Sequence, residues 1–375
     1  MVNAIYAFSG DPITYGHIDI ITRASKSFDQ VIVGIGINPD KSYMFNLAER
    51  TEMAQRSLQH FSNVVVKPFE GLLVDFAYEQ NLGVIVKGVR NSVDFNYENV
   101  LHQIGESQKL GIETHILFAR PELSHISSSA VKSIQKEQGL IQEYVPLYVK
   151  QCVEQKMSGQ YIVGVTGEIG VGKSYVCEAF RKLGQERGIS VHNIELDTLV
   201  HQILHDLPHP RYDLVRSQIA DTFGSRVLTP EGHINRKELG RIVFFEDEAL
   251  SQMQDIIHKP LLVRYRRELQ GKTGLMLCNA ELIAESGLSY LSNNNVVLVG
   301  CDEQTKNERL AQRSLDESQI QRRINTRFDS AHKRFLIETE IARERQGSIF
   351  MLDNSRDKDE IRFTFERVVT ELGVR

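Results

Sequence analysis

The chain has 375 residues, of which 41% are hydrophobic and 25% are charged, and its formal net charge is −5. This composition is ordinary for a folded protein and excludes a disordered or collagen-like chain. The negative net charge disfavours a general nucleic-acid binder, and no apolar run approaches the roughly 20 residues that span a bilayer. The first residues also lack the basic and apolar regions of a signal peptide. We therefore expect a cytoplasmic protein without nucleic-acid or membrane partners.

The four cysteines are widely spaced and form no CxxC pair. This spacing predicts reduced, buried thiols rather than a zinc site or a disulfide framework. The cysteines are Cys152, Cys177, Cys278 and Cys301.

The length indicates two domains, at roughly 100–200 residues for each. A predicted helix at 146–157 is followed by a Ser-Gly-Gln linker at 158–160, and a new apolar strand begins directly after the linker. Serine and glycine are typical of flexible joints. We therefore predict one domain over residues 1–157 and a second over residues 160–375.

Apolar strand-like runs alternate with amphipathic helix-like stretches through the first domain. This alternation predicts an α/β fold, with a parallel sheet and helices on both faces. Ligands of such sheets bind at the carboxyl ends of the strands. The predicted strands are 4–8, 31–37, 63–69, 83–88 and 114–118, and the predicted helices are 16–28, 47–60, 71–80 and 92–109.

The first strand leads into SGDPITYGH at 9–17, where a helix is predicted to begin. Gly16 allows the backbone to approach a ligand closely, and His17 can donate to a phosphate near the helix N-terminus. The segment is a variant of the HxGH signature, with Thr14 at the position of the first histidine. A single histidine near a helix start is more often structural than catalytic, so the interpretation depends on the rest of the domain.

Cationic and polar groups follow other strands of the same domain. Lys41 comes after the second strand, Lys87 to Arg90 end the fourth, Glu98 lies on the next helix, and a serine-rich segment at 124–129 opens a late helix. Singly, each cation is explained by solvation and each serine by helix capping. Because all of these groups are predicted to reach one edge of the sheet, we interpret them as one nucleotide site.

The first domain resembles the bacterial-type phosphopantetheine adenylyltransferases over about residues 1–155, through TYGHIDI at 14–20, KGVRNSVDFNYE at 87–98 and HISSSAVK at 125–132. The resemblance implies a Rossmann-like nucleotidyltransferase fold. The catalytic residues that it implies are His17, Lys41 and Arg90. The implied phosphopantetheine contacts are Ser9, Lys41, Leu73 and Lys87. The implied ATP contacts are Ser9, Gly10, His17, Gly88, Val89, Arg90, Glu98, Leu123, Ser124, His125, Ile126, Ser127, Ser128 and Ser129.

Two features of the first domain depart from this pattern. The pattern has a glycine and, two places later, an aromatic residue, whereas this chain has Phe8 and then Gly10. We expect Phe8 to crowd the close approach that glycine permits. Lys87 stands in place of an arginine, which keeps the charge and loses bidentate recognition.

The second domain repeats the alternation of strands and helices with a larger share of helix. The sequence therefore predicts a second α/β unit. Its predicted strands are 161–166, 190–195, 273–278, 295–300 and 348–352, a helix is predicted over 174–187, and helical blocks are predicted over 197–270 and 303–346.

The segment GEIGVGKS at 167–174 matches GxxxxGK[ST] between a predicted strand and a predicted helix, which is the context that this motif requires. Its glycines let consecutive backbone N–H groups surround a phosphate, and Lys173 reaches the terminal phosphates. Ser174 is the predicted Mg²⁺ ligand. The motif predicts binding of ATP or GTP, with Mg²⁺ as a cofactor.

The next strand ends at Glu195-Leu196-Asp197, at the predicted ligand edge beside the phosphate loop. A carboxylate in this place can accept the proton of an acceptor hydroxyl. Taken by itself, Asp197 is better explained as a helix N-cap.

The second domain resembles the dephospho-coenzyme A kinases over about residues 161–372. Beyond the phosphate loop, the segments that carry the resemblance are ELD at 195–197, GHINRKEL at 232–239, IIHKPLL at 256–262, AELIAE at 280–285 and DEQTKNERLAQR at 302–313. The resemblance implies a phosphate-loop kinase fold with helical substrate and lid regions.

By this resemblance Asp197 is the general base, Lys173 is catalytic, Arg236 and His258 line the coenzyme pocket, and Arg313 is a catalytic residue of a lid. The implied ATP contacts are Gly167, Gly170, Val171, Gly172, Lys173, Ser174 and Tyr175. Several positions depart from the pattern. The usual Asp-Ala-Asp is Glu195-Leu196-Asp197 here, Glu281 stands where proline is usual, Glu168 where glycine is common and Tyr175 where threonine or serine is common. We expect the Glu168 carboxylate to be an unfavourable neighbour for ATP unless it points to solvent.

Together the resemblances imply an enzyme of coenzyme A biosynthesis that performs its last two steps. The first domain would transfer adenylyl from ATP to 4′-phosphopantetheine, giving dephospho-coenzyme A and pyrophosphate. The second would phosphorylate the ribose 3′-hydroxyl with another ATP. The partners are then small molecules, and the resemblances also suggest a homo-oligomer formed through the first domain.

Two alternatives remain open at this point. A fused nicotinamide mononucleotide adenylyltransferase and ribosylnicotinamide kinase also pairs an HxGH-type domain with a phosphate loop. Thr14, the ISSS run at 126–129 and the HKPL segment weigh against it. A nucleotide-binding scaffold with an inactive domain is the second alternative, and the Phe8/Gly10 exchange and Glu281 give it some support.

Overall fold

The computed structural model describes residues 2–243, 247–311, 329–355 and 358–374. The chain divides into two units, Met1–Ser158 and Gly159–Arg375. Each unit contains a five-stranded sheet in which all paired strands are parallel, so the α/β class predicted from the alternation is confirmed. Within the described residues, no helix combines the length and apolar character needed to cross a membrane.

The strands of the first unit are β1 (Asn3–Phe8), β2 (Gln30–Gly36), β3 (Val64–Phe69), β4 (Val84–Val89) and β5 (Glu113–Phe118). Their order in the sheet is β3-β2-β1-β4-β5. The chain runs outward from β1 to β3 and then crosses to β4 on the other side of β1. The carboxyl ends of β1 and β4 therefore meet at the switch point where such sheets bind ligands.

Two of the longer helices of the first unit start at asparagine capping residues. Asn46 accepts the backbone N–H of Glu49 at 2.8 Å, and Asn91 accepts that of Asp94 at 2.9 Å. The helices of this unit are α1 (Tyr15–Ser27), α2 (Leu47–Leu58), α3 (Leu73–Glu79), α4 (Ser92–Ser107), α5 (Ser128–Lys136) and α6 (Leu147–Val153).

The central strands are apolar at consecutive positions because both faces of the sheet are covered. Successive side chains of a strand point to opposite faces. Tyr6 and Val33 lie in one buried cluster, whereas Ile5 and Ile32 lie in another. This arrangement agrees with the predicted helices on both faces.

The strands of the second unit are β6 (Gln160–Gly167), β7 (Val191–Glu195), β8 (Gly274–Asn279), β9 (Asn295–Gly300) and β10 (Ser348–Asp353). Their order is β10-β9-β6-β8-β7, with β6 in the centre. The phosphate loop therefore leaves the middle of the sheet, and β8 and β9 end on either side of it.

The first predicted helical block of the second unit, over 197–270, is interrupted. Gly224, with φ of +89°, follows the end of α9, and the segment after it contains an isolated bridge between Leu228 and Ile234. In the other block, residues 312–328 lie outside the described residues, and the predicted lid residue Arg313 lies among them. The helices are α7 (Lys173–Arg187), α8 (Leu196–His201), α9 (Pro210–Phe223), α10 (Arg236–Val243), α11 (Asp247–Leu269), α12 (Glu303–Ala311), α13 (Ser330–Glu344) and α14 (Lys358–Leu372).

Candidate active sites

The imidazole of His17 is held in one orientation in the first turn of α1. The backbone N–H of Thr14 donates to Nδ1 of His17 at 3.1 Å, and Oγ1 of Thr14 lies 3.0 Å from the same nitrogen. In a neutral imidazole, accepting a hydrogen bond at Nδ1 leaves the proton on Nε2. Thr14, at the first position of the HxGH-type signature, therefore selects the tautomer of His17.

The imidazole of His17 is neutral at ordinary pH. Although the residue is partly accessible to solvent, burial of the ring and the positive charges of Arg90 and Lys41 together lower its pKa from 6.5 to about 3, and burial has the largest effect. The site thus presents an uncharged N–H donor close to two cations.

Phe8 packs against His17 instead of leaving the strand end open. The two rings stack with centroids 4.3 Å apart and an interplanar angle of 11°. A Cβ at Gly10, where φ is +63°, would lie 3.1 Å from Cε2 of Phe8. The phenyl ring of Phe8 therefore occupies the space beside position 10, where the usual pattern has its aromatic residue. From position 8 the ring packs against and supports the imidazole of His17.

Asp11 organises the loop between β1 and α1. Its carboxylate is buried and accepts hydrogen bonds from Lys132 at 2.8 Å and from the backbone N–H groups of Phe45 at 2.9 Å and Met44 at 3.1 Å. Burial by itself raises the pKa of Asp11, but these donors outweigh it and leave the pKa below its usual value. One carboxylate thereby joins the segment after β1 to α5 and to the segment before α2.

Arg50 is a buried cation that sequence reasoning missed. Its Nη1 donates to the carbonyl oxygen of Gly36 at 2.8 Å and also to that of Ser9. The guanidinium lies 4.0 Å from the centre of the Tyr43 ring. Because β1 and β2 end at these carbonyls, Arg50 fixes the strand ends that carry Ser9 and precede Lys41.

The end of β4 carries two ion pairs. Nζ of buried Lys87 lies 2.6 Å from Oε2 of Glu98 on α4. Arg90 binds Asp94 through two hydrogen bonds, of 2.8 Å from Nε and 3.2 Å from Nη2. The alternative in which Arg90 is simply solvated therefore does not describe this structure, because Asp94 orients its guanidinium.

The guanidinium of Arg90 also reaches the serine-rich segment, since Nη1 donates to the carbonyl oxygen of Ile126 at 3.4 Å. Oγ of Ser128 donates to the carbonyl oxygen of Pro12 at 2.8 Å. The segment before α5 is therefore tied both to the end of β4 and to the loop after β1.

The remaining serines of this segment differ in role. Oγ of Ser127 accepts a hydrogen bond from the backbone N–H of Ala130 at 3.1 Å. This serine is therefore the N-cap of α5, which is the helix-capping role considered in the sequence analysis. Ser129 is exposed, and Oγ of Ser124 donates to the carbonyl oxygen of Pro121 at 2.8 Å.

The other residues implied by the adenylyltransferase resemblance lie as follows. Nζ of Lys41 is 3.3 Å from Oγ of Ser9, and Leu73 is the first residue of α3. A Cβ at Gly88 would lie 3.0 Å from Cγ1 of Ile20, so glycine allows α1 to pack closely on β4. Val89 and Ile126 are buried, His125 is exposed and packs edge-on against Tyr144, and Leu123 ends a short 3₁₀ turn.

In the second unit, the phosphate loop requires glycine where its backbone turns. Gly167 has φ of +149°, and a Cβ there would lie 2.2 Å from the carbonyl oxygen of Val299. Gly172 has φ of +90°, and a Cβ there would lie 2.4 Å from Nδ2 of Asn354. Side chains are therefore excluded at both positions, which leaves a loop lined by backbone at the N-terminus of α7.

Lys173 begins α7 and folds back over the loop. Its Nζ donates to the carbonyl oxygens of Gly167 at 2.9 Å and Glu168 at 3.1 Å. Ser174 and Tyr175 are exposed in the next positions, whereas Val171 is buried. A glycine cradle with a lysine across it and a hydroxyl at the start of the helix fits a nucleotide phosphate with its Mg²⁺.

The carboxylate of Glu168 is bound by other side chains rather than pointing to solvent, so its repulsion of ATP is relieved in a different way from the one expected from the sequence. Its carboxylate pairs with Nζ of Lys306 at 2.5 Å and accepts hydrogen bonds from the backbone N–H and hydroxyl of Ser330 at 2.9 and 3.0 Å. Burial by itself raises the pKa of Glu168, but these partners lower it below its usual value. The carboxylate is therefore neutralised by α12 and α13, which reduces its repulsion of an anionic ligand.

Two residues that sequence reasoning missed support the back of the phosphate loop. Nη1 of Arg309 and Nδ2 of Asn354 donate to the carbonyl oxygen of Val171 at 3.0 and 2.8 Å. Nη2 of Arg309 also donates to the carbonyl oxygen of Asn354 at 2.8 Å. Arg309 and Asn354 thus fix the backbone of the loop at Val171.

Asp197 lies in the first turn of α8, and Glu195 occupies the N-cap position. The N-cap explanation of Asp197 is therefore wrong. Its Oδ2 instead accepts the backbone N–H of Glu281 at 3.3 Å. Although Asp197 is accessible to solvent, partial burial raises the pKa of its carboxyl, and the negative charge of Glu281 raises it further.

The segment after β8 is fixed by a buried ion pair. Nζ of Lys333 lies 2.5 Å from Oε1 of Glu285 and donates to the carbonyl oxygen of Glu281 at 2.6 Å. The hydroxyl of Thr166 donates to the same carbonyl at 2.9 Å. This ion pair holds the segment without the proline that the kinase pattern has at position 281.

Two further residues implied by the kinase resemblance lie on the helical part of the second unit. Arg236 is exposed at the start of α10, and His258 is half-buried on α11. Within the described residues, no group of three or more His, Cys, Asp or Glu side chains forms a metal cluster.

The sequence contained a signal for some of the supporting residues but none for Lys333. Asp11 and Lys132 lie inside motifs that the resemblance already used, and Asn354 directly follows β10 at the ligand edge. Lys333 has no such indicator, because it lies far from any motif and reaches Glu285 only through the packing of α13.

Both units therefore have the geometry of enzymes that transfer a group from a nucleoside triphosphate. The first carries a neutral histidine beside an oriented arginine at a sheet switch point, and the second a phosphate loop with a carboxylate at the neighbouring strand. Comparison with protein families agrees with this division. The cytidylyltransferase-like family matches residues 9–134, and the dephospho-CoA kinase family matches residues 161–346.

Individual relatives are similar to one unit or the other. The phosphopantetheine adenylyltransferase of Alkaliphilus metalliredigens is 43% identical over 152 residues, which is 40% of this chain and 97% of the relative. That of Clostridium tetani is 43% identical over 143 residues, 38% of this chain and 89% of the relative. A solved dephospho-CoA kinase from Campylobacter jejuni covers 57% of this chain and 97% of its own, at 20% identity and a TM-score of 0.33.

The chain belongs to the phosphopantetheine adenylyltransferase family through its first unit. With the dephospho-CoA kinase match in the second unit, it is a bifunctional enzyme in which the two families are fused.

Proposed function

We propose that this enzyme makes coenzyme A from 4′-phosphopantetheine in two consecutive ATP-dependent steps. The observation that carries the proposal is the presence of two nucleotide sites in separate units, each with the motif residues of the matching family. The nicotinamide alternative loses ground, because the relatives of the first unit are phosphopantetheine adenylyltransferases.

In the first step, an oxygen of the 4′-phosphate forms a bond to the α-phosphorus of ATP. The bond from that phosphorus to the bridging oxygen breaks, and pyrophosphate leaves. Nε2–H of His17 and the cations Lys41 and Arg90 stabilise the added negative charge, and no covalent enzyme intermediate is required. Thr14 keeps the proton on Nε2, so His17 is a donor before the substrate arrives.

In the second step, the ribose 3′-hydroxyl oxygen forms a bond to the γ-phosphorus of another ATP, and ADP leaves. Asp197 accepts the hydroxyl proton, and its raised pKa suits it to that role. Lys173 moves from the loop carbonyls to the terminal phosphates. Mg²⁺, held with ATP at Ser174, supplies further charge neutralisation. We propose Arg236 and His258 as contacts for the coenzyme.

One assay tests this proposal directly. The chain is incubated with 4′-phosphopantetheine and ATP–Mg²⁺, and the products are resolved by mass. We expect dephospho-coenzyme A to appear first and coenzyme A to follow, whereas nicotinamide mononucleotide stays unchanged in the matched control. Binding of both substrates without turnover would contradict the proposal and would favour the scaffold alternative.

We also propose that the enzyme forms a homo-oligomer through α4 and β5. No residue of α4 is buried, and its exposed apolar residues Val93, Tyr97, Val100 and Ile104 recur at the spacing of one helix face. Phe118, at the end of edge strand β5, is 69% exposed. A contiguous apolar surface of this kind is typical of an interface.

Light scattering during gel filtration tests the oligomer. We expect the native chain to have a multiple of the monomer mass and the double variant Val93→Glu/Val100→Glu to be monomeric. A native chain that is monomeric at high concentration would contradict self-association.

We place the activity in the cytoplasm, because all four cysteines are free thiols and two of them are buried. Cell fractionation followed by the mass-resolved assay tests this location.

A further inference from the structure

Glu281 offers Asp197 a hydrogen-bond donor that the usual residue of the kinase pattern lacks. The pattern has proline at this position, and proline has no backbone N–H. In this chain the N–H of Glu281 donates to Oδ2 of Asp197 at 3.3 Å. The departure noted in the sequence thus lies in direct contact with the proposed general base.

The peptide of Glu281 is held from the other side. Its carbonyl oxygen accepts hydrogen bonds from Nζ of Lys333 at 2.6 Å and from the hydroxyl of Thr166 at 2.9 Å. The preceding residue, Ala280, donates its N–H to the carbonyl oxygen of Val165 at 3.1 Å. Because the backbone on both sides of the N–H is fixed to β6 and α13, the donor has a defined direction.

The side chain of Glu281 acts on Asp197 through its charge. The charged groups that face Asp197 are Glu281 after β8, Glu195 at the end of β7 and Lys173 in the phosphate loop. Burial and the two carboxylates raise the pKa of Asp197, whereas the N–H of Glu281 and the charge of Lys173 lower it. The backbone and the side chain of Glu281 therefore have opposite effects on proton affinity, but only the backbone orients the carboxylate.

We propose that Glu281 is a positioning residue for the kinase step, whose backbone N–H orients the carboxylate of Asp197. This inference rests on the proposed role of Asp197 as the general base.

Two substitutions separate the two contributions. Glu281→Gln keeps the N–H and removes the charge, whereas Glu281→Pro removes both. The kinase reaction is measured with dephospho-coenzyme A and ATP–Mg²⁺ as kcat and KM across a range of pH. For Glu281→Gln we expect the acidic limb of the kcat profile to move to lower pH, by about half a unit.

For Glu281→Pro we expect kcat to be about tenfold lower than for Glu281→Gln, with little change in either KM, because a hydrogen bond to a charged group is lost. In an Asp197→Asn background, the proline substitution should cause no further loss, since the effect acts through Asp197. The adenylyl-transfer rate of the same chains should stay at its native value, and chemical unfolding of the second unit reports whether each variant is folded.

Equal kcat values and equal pH profiles for the native chain and both variants would overturn the inference. So would a proline effect that persists at full size in the Asp197→Asn background. Carbon NMR titration of the Asp197 carboxyl adds a readout that needs no turnover, in which Glu281→Gln must lower the pKa of Asp197. If the native chain fails to phosphorylate dephospho-coenzyme A, the proposed function is wrong, whereas an unmoved NMR titration counts against Glu281 alone.

Discussion

In the second unit, the phosphate loop is one continuous segment, residues 167–174, whose shape depends on glycines with positive φ and on a lysine that bonds to carbonyls of the same loop. In the first unit, the nucleotide site is assembled from side chains that belong to distant segments. Asp11 joins three of these segments, and Arg90 joins the end of β4 to the segment before α5.

The two constructions respond differently to change in sequence. A loop made of backbone tolerates a foreign carboxylate, Glu168, because Lys306 and Ser330 neutralise it from outside the loop. A site made of side chains tolerates the Phe8/Gly10 exchange because the phenyl ring supports His17 from the other position. The carboxylate is compensated by residues outside the phosphate loop, whereas the exchange is compensated within the same segment.

The comparison of the two units implies that their sites act independently. The largest effect is expected when the lysine of the phosphate loop is removed. We expect Lys173→Ala to lower the kinase rate by about 10²–10³-fold, because no other loop side chain brings positive charge to the terminal phosphates. Adenylyl transfer should be unchanged. Both rates are measured on one preparation, with Lys173→Arg as the matched control, which should retain part of the kinase activity. Loss of both activities in a folded chain would show that the sites are not independent.

The reciprocal test concerns the first unit. We expect His17→Ala to lower pyrophosphate release by about 10²-fold, since it removes a positioned N–H donor to the transferred phosphate. The kinase rate with added dephospho-coenzyme A should stay at its native value. His17→Gln, whose amide can donate, should lose less. An unchanged adenylyl-transfer rate in the alanine variant would remove His17 from the mechanism.

A smaller effect is expected where one side chain joins several segments. Asp11→Asn keeps the shape of the carboxylate but weakens three hydrogen bonds at a buried position. We expect the unfolding free energy of the first unit to fall by about 1–3 kcal/mol, measured by chemical unfolding. Asp40→Asn, an exposed acid in the same unit, is the matched control and should be neutral. Equal losses in the two variants would contradict the linking role of Asp11.

A further effect, which builds up gradually over a range of pH, is a dependence of stability on pH. The unfolded imidazole of His17 takes up a proton below about 6.5, whereas the folded one stays neutral until the pH approaches 3. The unfolded state therefore binds more protons in this window, and stability falls as the pH drops through it. Chemical unfolding at a series of pH values should show a shallower loss in His17→Gln. Identical slopes would show that the folded His17 ring is protonated in the same range.

The loss of stability that involves Asp11 belongs to a lower pH range. Its folded pKa lies below the usual carboxyl value, so its contribution is present above that value and is lost as the pH falls below it. The two groups are therefore separable in one titration of stability.

The sequence was sufficient for features whose cause is local. Residues 167–174 predict the phosphate loop, because the spacing of the glycines decides where backbone N–H groups can turn inward. The ten strands were predicted from consecutive apolar residues, since a sheet covered on both faces buries every side chain of its central strands. The helical region after Asp197 was less predictable, because Gly224 and the segment after it break a pattern that looked continuous.

Other features arise only when distant segments meet. By itself the sequence determined two α/β units and a phosphate loop, because periodicity and glycine spacing place them. It could not show that Thr14 fixes the tautomer of His17, that Phe8 and Gly10 exchange roles, or that Glu281 donates to Asp197. Those facts depend on hydrogen-bond directions and ring contacts between separate elements. Tertiary structure alone decides them, because the same residues in another strand order would not touch.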